Sequence, residues 1–261
     1  GTLYLYEIAA NPSVTGIGEK AKWIPPEGKS FEEVCALYKP NKEFEDLYLN
    51  KTFDLEDGVK VSFDEELYKR TVLIYSKALD HAESIFKNVV CKDGKQLADF
   101  EVSIDETMTP TLPQQHFFVA NELVRRGVKI ATVAPRFCGE FQKGIDYIGN
   151  LDQFAEEMKV HAAISRHFGY KISVHSGSDK FSVFPSVGKE TRGKFHVKTA
   201  GTNWLEAMKL IAIKEPALYR EIHKYALSVF DEATKYYHVT TDLTKIPCVD
   251  CLSDEQLPDL F

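Results

Sequence analysis

An α/β fold with a parallel sheet is what this sequence predicts, and three observations carry the expectation. Short β-rich runs alternate with helical patterns and turn signals along the chain. Within those runs polar and apolar residues alternate, as in Glu101-Val102-Ser103-Ile104-Asp105 and Lys171-Ile172-Ser173-Val174-His175. No Gly-x-Gly-x-x-Gly follows any strand, so the dinucleotide fingerprint of a doubly wound sheet is missing. An open sheet covered on both faces reads as unbroken aliphatic runs. A face carrying His, Lys, Asp and Ser suits instead a (β/α)8 TIM-type barrel whose interior is polar near its mouth. The 261 residues are close to the ~250 typical of such a barrel. Six strands are legible where closure takes eight, so the barrel is expected to be incomplete in this chain.

Taken in order, strands are expected at residues 3–9, 100–105, 128–134, 171–175, 195–199 and 236–240. The first follows directly on Gly1, with no initiator Met, as in a piece of a longer protein. Residues 12–64 read as a loop-rich insertion or lid, broken by Pro25-Pro26-Glu27-Gly28 and Glu56-Asp57-Gly58. Leu67, Thr71, Ile74, Ala78, His81, Ile85 and Val89 recur at three- or four-residue steps, giving one long helix with an apolar stripe. A helix starts at Pro113, where the missing N–H costs nothing, and ends at Arg126 before Gly127. Another spans residues 151–168 and stops at Gly169, and helices over 203–213 and 216–235 follow. Residues 1–261 are thus expected to be the central and later part of a single barrel.

Charge and composition exclude several classes. Thirty-two Lys and Arg against 39 Asp and Glu give a net charge of −7. A nucleic-acid binder needs a concentrated positive field instead. No apolar run approaches the ~20 residues of a membrane span. Five scattered cysteines, with neither a secretory signal nor an Arg-rich presequence, fit a reducing, cytoplasmic setting. Cys248-Val249-Asp250-Cys251 is one CxxC without the second pair of a zinc site or a thioredoxin-like context.

Chemistry in a barrel collects where strands end, and four strand ends here are polar. Ser103-Ile104-Asp105-Glu106-Thr107 puts two carboxylates together, as a helix cap or as a general acid/base. Ala134-Pro135-Arg136-Phe137-Cys138-Gly139-Glu140 offers Arg136 as a bidentate carboxylate clamp and Glu140 as a metal ligand. His175-Ser176-Gly177-Ser178-Asp179-Lys180 sets an imidazole before small residues that let a ligand approach, then an Asp-Lys pair. His196-Val197-Lys198-Thr199-Ala200-Gly201-Thr202 leads through a turn into a helix start that is either plainly capped or anion-binding. Histidine with one or two carboxylates suits zinc, manganese or similar ions, although no ligand pair has diagnostic spacing.

These four segments, in this order, resemble the tagaturonate/fructuronate epimerases of bacterial hexuronate catabolism, over roughly residues 65–250. The resemblance implies a metal-dependent barrel enzyme that interconverts D-tagaturonate and D-fructuronate. It matches Glu106 to the catalytic acid partner, and His175 and Glu140 to ligands of a divalent metal ion. Arg136, Asp179, Lys180, His196, Lys198 and Thr199 form the expected substrate-binding set. Family members carry an upstream Asp-Ala-Asp-His motif that this sequence lacks, so the remainder of the chain is an expected partner. The two ketouronates differ one bond beyond the carbon next to the ketone, where simple α-proton abstraction cannot invert a centre. Retro-aldol cleavage and re-addition can. Two other readings fit the residues: another metal-dependent sugar isomerase, and a sugar-acid-binding barrel fragment without activity.

Overall fold

The computed structural model describes residues 28–107, 109–199, 203–235 and 239–261, and the backbone of residues 5–9. β1 (Leu5–Ala9) opens a parallel sheet. After it come α1 (Phe31–Leu37), α2 (Lys42–Tyr48), the antiparallel pair β2 (Thr52–Asp54) and β3 (Lys60–Ser62), and α3 (Glu65–Ile85). A short antiparallel pair, β4 (Cys91–Lys92) and β5 (Lys95–Gln96), leads into β6 (Asp99–Ile104). Helix and strand then alternate through α4 (Pro113–Arg125), β7 (Thr132–Pro135), α5 (Leu151–Phe168), β8 (Lys171–Val174), α6 (Phe184–Glu190) and β9 (Phe195–Val197). α7 (Asn203–Lys214), α8 (Pro216–Ser228) and α9 (Phe230–Ala233) follow, and 3-10 turns lead to Phe261.

The main sheet has the order β1-β6-β7-β8-β9, each neighbour parallel to the next. Strand order follows chain order, without the reversal that marks a doubly wound sheet. Among the described residues this sheet is open, with five strands where a closed barrel has eight. The register sets Glu101 beside Thr132, Ser103 beside Ala134, and Ser173 beside His196. Because side chains alternate along a strand, Glu101 and Ser103 share one face of β6 while Phe100, Val102 and Ile104 take the other.

Local sequence explains the helix ends. Asp64 accepts from the Leu67 N–H at 2.8 Å and starts α3, with Glu65 and Glu66 in its positive first turn. Pro113 opens α4, as expected, and Asn150 caps α5 by accepting from Asp152 and Gln153. Gly169 ends α5 in the left-handed region at φ 80°. The strand expected at 128–134 begins at Thr132, because α4's terminal turn takes up the Val128 N–H, which donates to the Leu123 carbonyl at 2.9 Å. The long helix narrows to α3 plus a wider π-turn over Phe86–Val90. The expected helix over 216–235 divides at Val229 into α8 and α9. Of the strand expected at 236–240, residues 236–238 lie outside the described residues, and Val239 and Thr240 are not in a strand.

The stretch expected to be loop-rich is ordered over its described part. α1, α2 and the β2–β3 hairpin send Tyr38, Phe44, Tyr48, Val61 and Phe63 into the main core. There they meet Tyr68, Tyr75 and Leu79 of α3, Phe117, Phe118 and Leu123 of α4, and Phe100, Val102 and Ile104 of β6. Tyr48 stacks edge-on against Phe118 at 4.9 Å and donates its hydroxyl to the buried Glu122 carboxylate at 2.6 Å. Each such aromatic contributes about 1.5–3 kcal/mol through burial. Between α4 and α5 the buried His116 and His161 share an Nδ1–Nδ1 hydrogen bond of 2.9 Å, and Tyr170 joins His116 Nε2 at 2.6 Å.

The chain divides into two compact units. One holds the sheet and its helices; the other comprises Phe141–Asp146, Ser176–Lys180 and Thr199–Phe261, with a small core of Ala212, Tyr219, Val249 and Leu257. Among the described residues no helix is long and apolar enough to cross a membrane.

Candidate active site

The polar faces of four neighbouring strands meet around one carboxylate. Glu101 on β6 is fully buried. Its Oε1 accepts from His175 Nε2 at 2.8 Å. Its Oε2 accepts from the Thr132 hydroxyl on β7 and from His196 Nδ1 on β9 at 3.1 Å. The Ser173 hydroxyl on β8 lies 2.9 Å from that same His196 nitrogen. His175, one residue beyond β8, donates from Nδ1 to Asp105 Oδ2 at 2.9 Å, and Asp105 lies one residue beyond β6. Parallel pairing explains the convergence: residues two apart along a strand, and residues paired across neighbouring strands, face the same side, and the strands' C-terminal ends come level.

The electrostatics follow from burial set against pairing. Burial opposes charge on Glu101, but hydrogen bonds from His175, Thr132 and Ser173 outweigh it and hold the carboxyl at about 2. Burial likewise works against the charged form of His175, whose side chain is 10% exposed. Asp105 and Glu101 overcome it and raise the imidazole to about 9. In this arrangement His175 is an imidazolium with a carboxylate on each ring nitrogen.

The expected site residues divide. His175 and His196 belong to the cluster. Glu106 stands next to Asp105 and is exposed. Arg136, just past β7, is half-buried; its N–H donates to Thr111 Oγ1 at 2.9 Å and its guanidinium to the Thr107 carbonyl. Glu140 exchanges backbone hydrogen bonds with Ile148 at 2.8 and 3.2 Å. Lys198 is exposed beyond β9, its N–H on the Val174 carbonyl at 2.9 Å. Thr199, Asp179 and Lys180 belong to the second unit. Lys180 is fully buried and donates its three N–H groups to the carbonyls of Gln142 (2.6 Å), Ile145 (2.6 Å) and Ser178 (2.9 Å). Asp179 has φ 61°, Ser176 has φ 49°, and Asp179 Oδ2 is buried without a hydrogen-bond partner. Sequence reasoning missed Glu101 as the centre, and took Asp105 only as a neighbour of Glu106. The signal was there, since the alternation that suggested a barrel puts Glu101, Ser103 and Asp105 on one face.

Two imidazoles and two carboxylates are donor types that suit zinc or manganese. A ligating histidine ordinarily gives its other N–H to a carboxylate, which Glu101 or Asp105 can supply. With both nitrogens of His175 paired, holding an ion requires it to release one of the two. Among the described residues no three His, Cys, Asp or Glu side chains converge in a geometry that holds an ion.

A family model described as tagaturonate epimerase matches residues 27–261. A tagaturonate/fructuronate epimerase of Thermotoga maritima is 47% identical over 234 residues, which are 89% of this chain and 47% of that protein. The native crystal structure of the fructuronate-tagaturonate epimerase UxaE from Cohnella laeviribosi is similar at a TM-score of 0.90 and 45% identity, over 98% of this chain and 51% of that one. A glycerol complex of the same enzyme gives 0.89 and 46%, over 98% and 51%. The chain therefore spans about half the length of the relatives it matches. Its sequence over residues 27–261 and its fold agree on one assignment: the chain belongs to the tagaturonate epimerase family.

Proposed function

We propose that this chain carries strand-end residues of an enzyme interconverting D-tagaturonate and D-fructuronate. The observation that carries the reading is the family match over 27–261 together with the cluster of His175 and Asp105 on the buried Glu101 carboxylate. The reaction is retro-aldol. A base takes the proton of the hydroxyl on the carbon to be inverted. The bond from that carbon to the one beside the ketone then breaks, leaving an aldehyde and an enediolate. Re-addition to the other face of the aldehyde re-forms the bond, and the alkoxide recovers a proton.

Glu106 is the proposed acid/base, beside Asp105 and exposed to a ligand. Arg136 and Lys198 supply positive charge for the substrate carboxylate. His196 offers its ring to a substrate hydroxyl, and Thr199 its hydroxyl. Asp179, with an oxygen lacking a partner and a left-handed backbone, is an acceptor for a substrate hydroxyl. Lys180 spends its donors on carbonyls, which supports a role in holding the 141–146 and 176–180 segments of its unit in shape. A divalent cation with His175 and Glu140 among its ligands belongs to the same proposal. When bound, it supplies Lewis-acid stabilisation of the enediolate. The sheet is proposed to be an arc of a TIM-type barrel, supported by parallel strands in chain order. A cytoplasmic location fits a sugar-acid metabolic enzyme.

Epimerisation by the full-length enzyme in deuterium oxide tests the reaction. Retro-aldol chemistry predicts a product without carbon-bound deuterium at the inverted centre, and deuterium there overturns it in favour of proton abstraction. Absence of any turnover, with hexuronate binding retained, overturns the catalytic reading itself.

A further inference from the structure

Cys248-Val249-Asp250-Cys251 has no part in the proposed reaction, yet one turn brings its two exposed cysteines together. A one-turn 3-10 helix (Val249–Cys251) follows Cys248. The Cys251 N–H donates to the Cys248 carbonyl at 2.9 Å. A turn closed in this way brings its first and fourth Cα atoms within about 7 Å of each other. That range overlaps the ~4.4–6.8 Å from which a disulfide forms. Val249, between the two, is buried in the small core with Ala212, Tyr219 and Leu257, so the turn is anchored. Both cysteines nevertheless face solvent and are free.

The remaining cysteines are less accessible: Cys138 is buried, and Cys35 and Cys91 are half-buried. The two exposed thiols also differ from each other. A hydrogen bond from Cys251, assisted by the Asp250 N–H, lowers the Cys248 thiol, while the neighbouring Cys248 raises Cys251. One thiol is thus disposed to attack, and the other to resolve.

We propose that Cys248 and Cys251 are a modification site, a dithiol that reacts with low-molecular-weight disulfides of the glutathione type and closes to an intramolecular disulfide. The Cys248 thiolate attacks one sulfur of the small disulfide. A mixed disulfide forms, and one small thiolate leaves and takes up the proton that Cys248 gave. Cys251, deprotonated in turn, attacks Cys248 Sγ. The Cys248–Cys251 bond forms and the second small thiol departs. The protein loses two protons and two electrons, and the small disulfide leaves as two thiols. The product ties the ends of the turn around Val249; being exposed and closing a tight ring, it is readily reduced again.

Treatment of the full chain with oxidised glutathione under native conditions, followed by peptide mass spectrometry, tests this. In the unmodified sequence the peptide holding both cysteines is expected to lose two hydrogens without gaining glutathione. Cys251→Ser is expected to trap a stable glutathione adduct on Cys248, because no second thiol remains to displace it. An adduct that accumulates in the unmodified sequence without closing overturns the proposal. So does modification of Cys35 or Cys91 ahead of Cys248. None of these readings depends on epimerase activity.

Discussion

Glu101 shows why single residues of the site were partly hidden. A glutamate in an alternating strand reads as one more polar residue, since the groups that hold it charged lie 31, 74 and 95 positions along the chain, at Thr132, His175 and His196. His175 was legible because an imidazole before Ser-Gly-Ser has no packing explanation. Removing one partner of a buried ion pair leaves the other uncompensated, so Glu101→Ala is expected to cost about 3–5 kcal/mol. Urea unfolding measures it, and a loss under 1 kcal/mol contradicts the geometry. The His116–His161 pair yields a pH prediction. Burial pushes His116 well down and His161 down to about 4, against the opposing pull of Glu157 and the Thr111 carbonyl. Below the unfolded value of about 6.5 the unfolded chain binds protons that the folded chain refuses. Stability from His161 is therefore full above that value and falls as pH drops towards 4, by about 3 kcal/mol. Equilibrium unfolding between pH 7 and 4 is expected to show the decline, and His161→Phe to make it shallower, the share of His116 remaining.

Elements were legible in proportion to their length. α3, α4 and α5 have 21, 13 and 18 residues, enough turns for an apolar stripe to repeat, and their ends carry Asp64, Pro113, Asn150 and Gly169. α1 and α2 have seven residues each and β2 and β3 three, too short for any period to stand out. Their Pro- and Gly-rich borders therefore read as loop, although burial of Tyr38, Phe44, Tyr48 and Phe63 holds them in place. Two glycines separate backbone from packing effects. At Gly169 (φ 80°) an added Cβ meets open space, so Gly169→Ala carries only left-handed strain, about 1–2 kcal/mol. At Gly139 (φ 75°) the same atom would collide with the ring of the buried Tyr147, its Cζ at 2.6 Å. Thermal unfolding is expected to show the larger loss for Gly139→Ala, and equal losses would contradict the packing around Tyr147.

At the scale of the molecule, the alternation of strands and helices pointed correctly to a parallel sheet, whereas the closed barrel suggested by alternating residues and the missing glycine fingerprint is not seen among the described residues, where five strands form an open sheet. Five of the six expected strands pair in the main sheet and the sixth falls largely on residues 236–238, but the four short strands of the two antiparallel pairs were not legible. The division into two units was not legible, because the second unit takes its pieces from three separate stretches and no composition shift marks them. The net charge of −7 says little about the proposed site, whose proposed cations, Arg136 and Lys198, are local. The family assignment and the strand-end cluster support the central proposal, that these residues carry the acid/base chemistry of a hexuronate epimerase. Turnover of D-tagaturonate by the full-length Glu106→Gln enzyme, with bound metal measured in the same preparation, tests it most directly. A kcat lower by about 10²–10⁴-fold, with metal content unchanged, is expected. Normal turnover in that variant would contradict it.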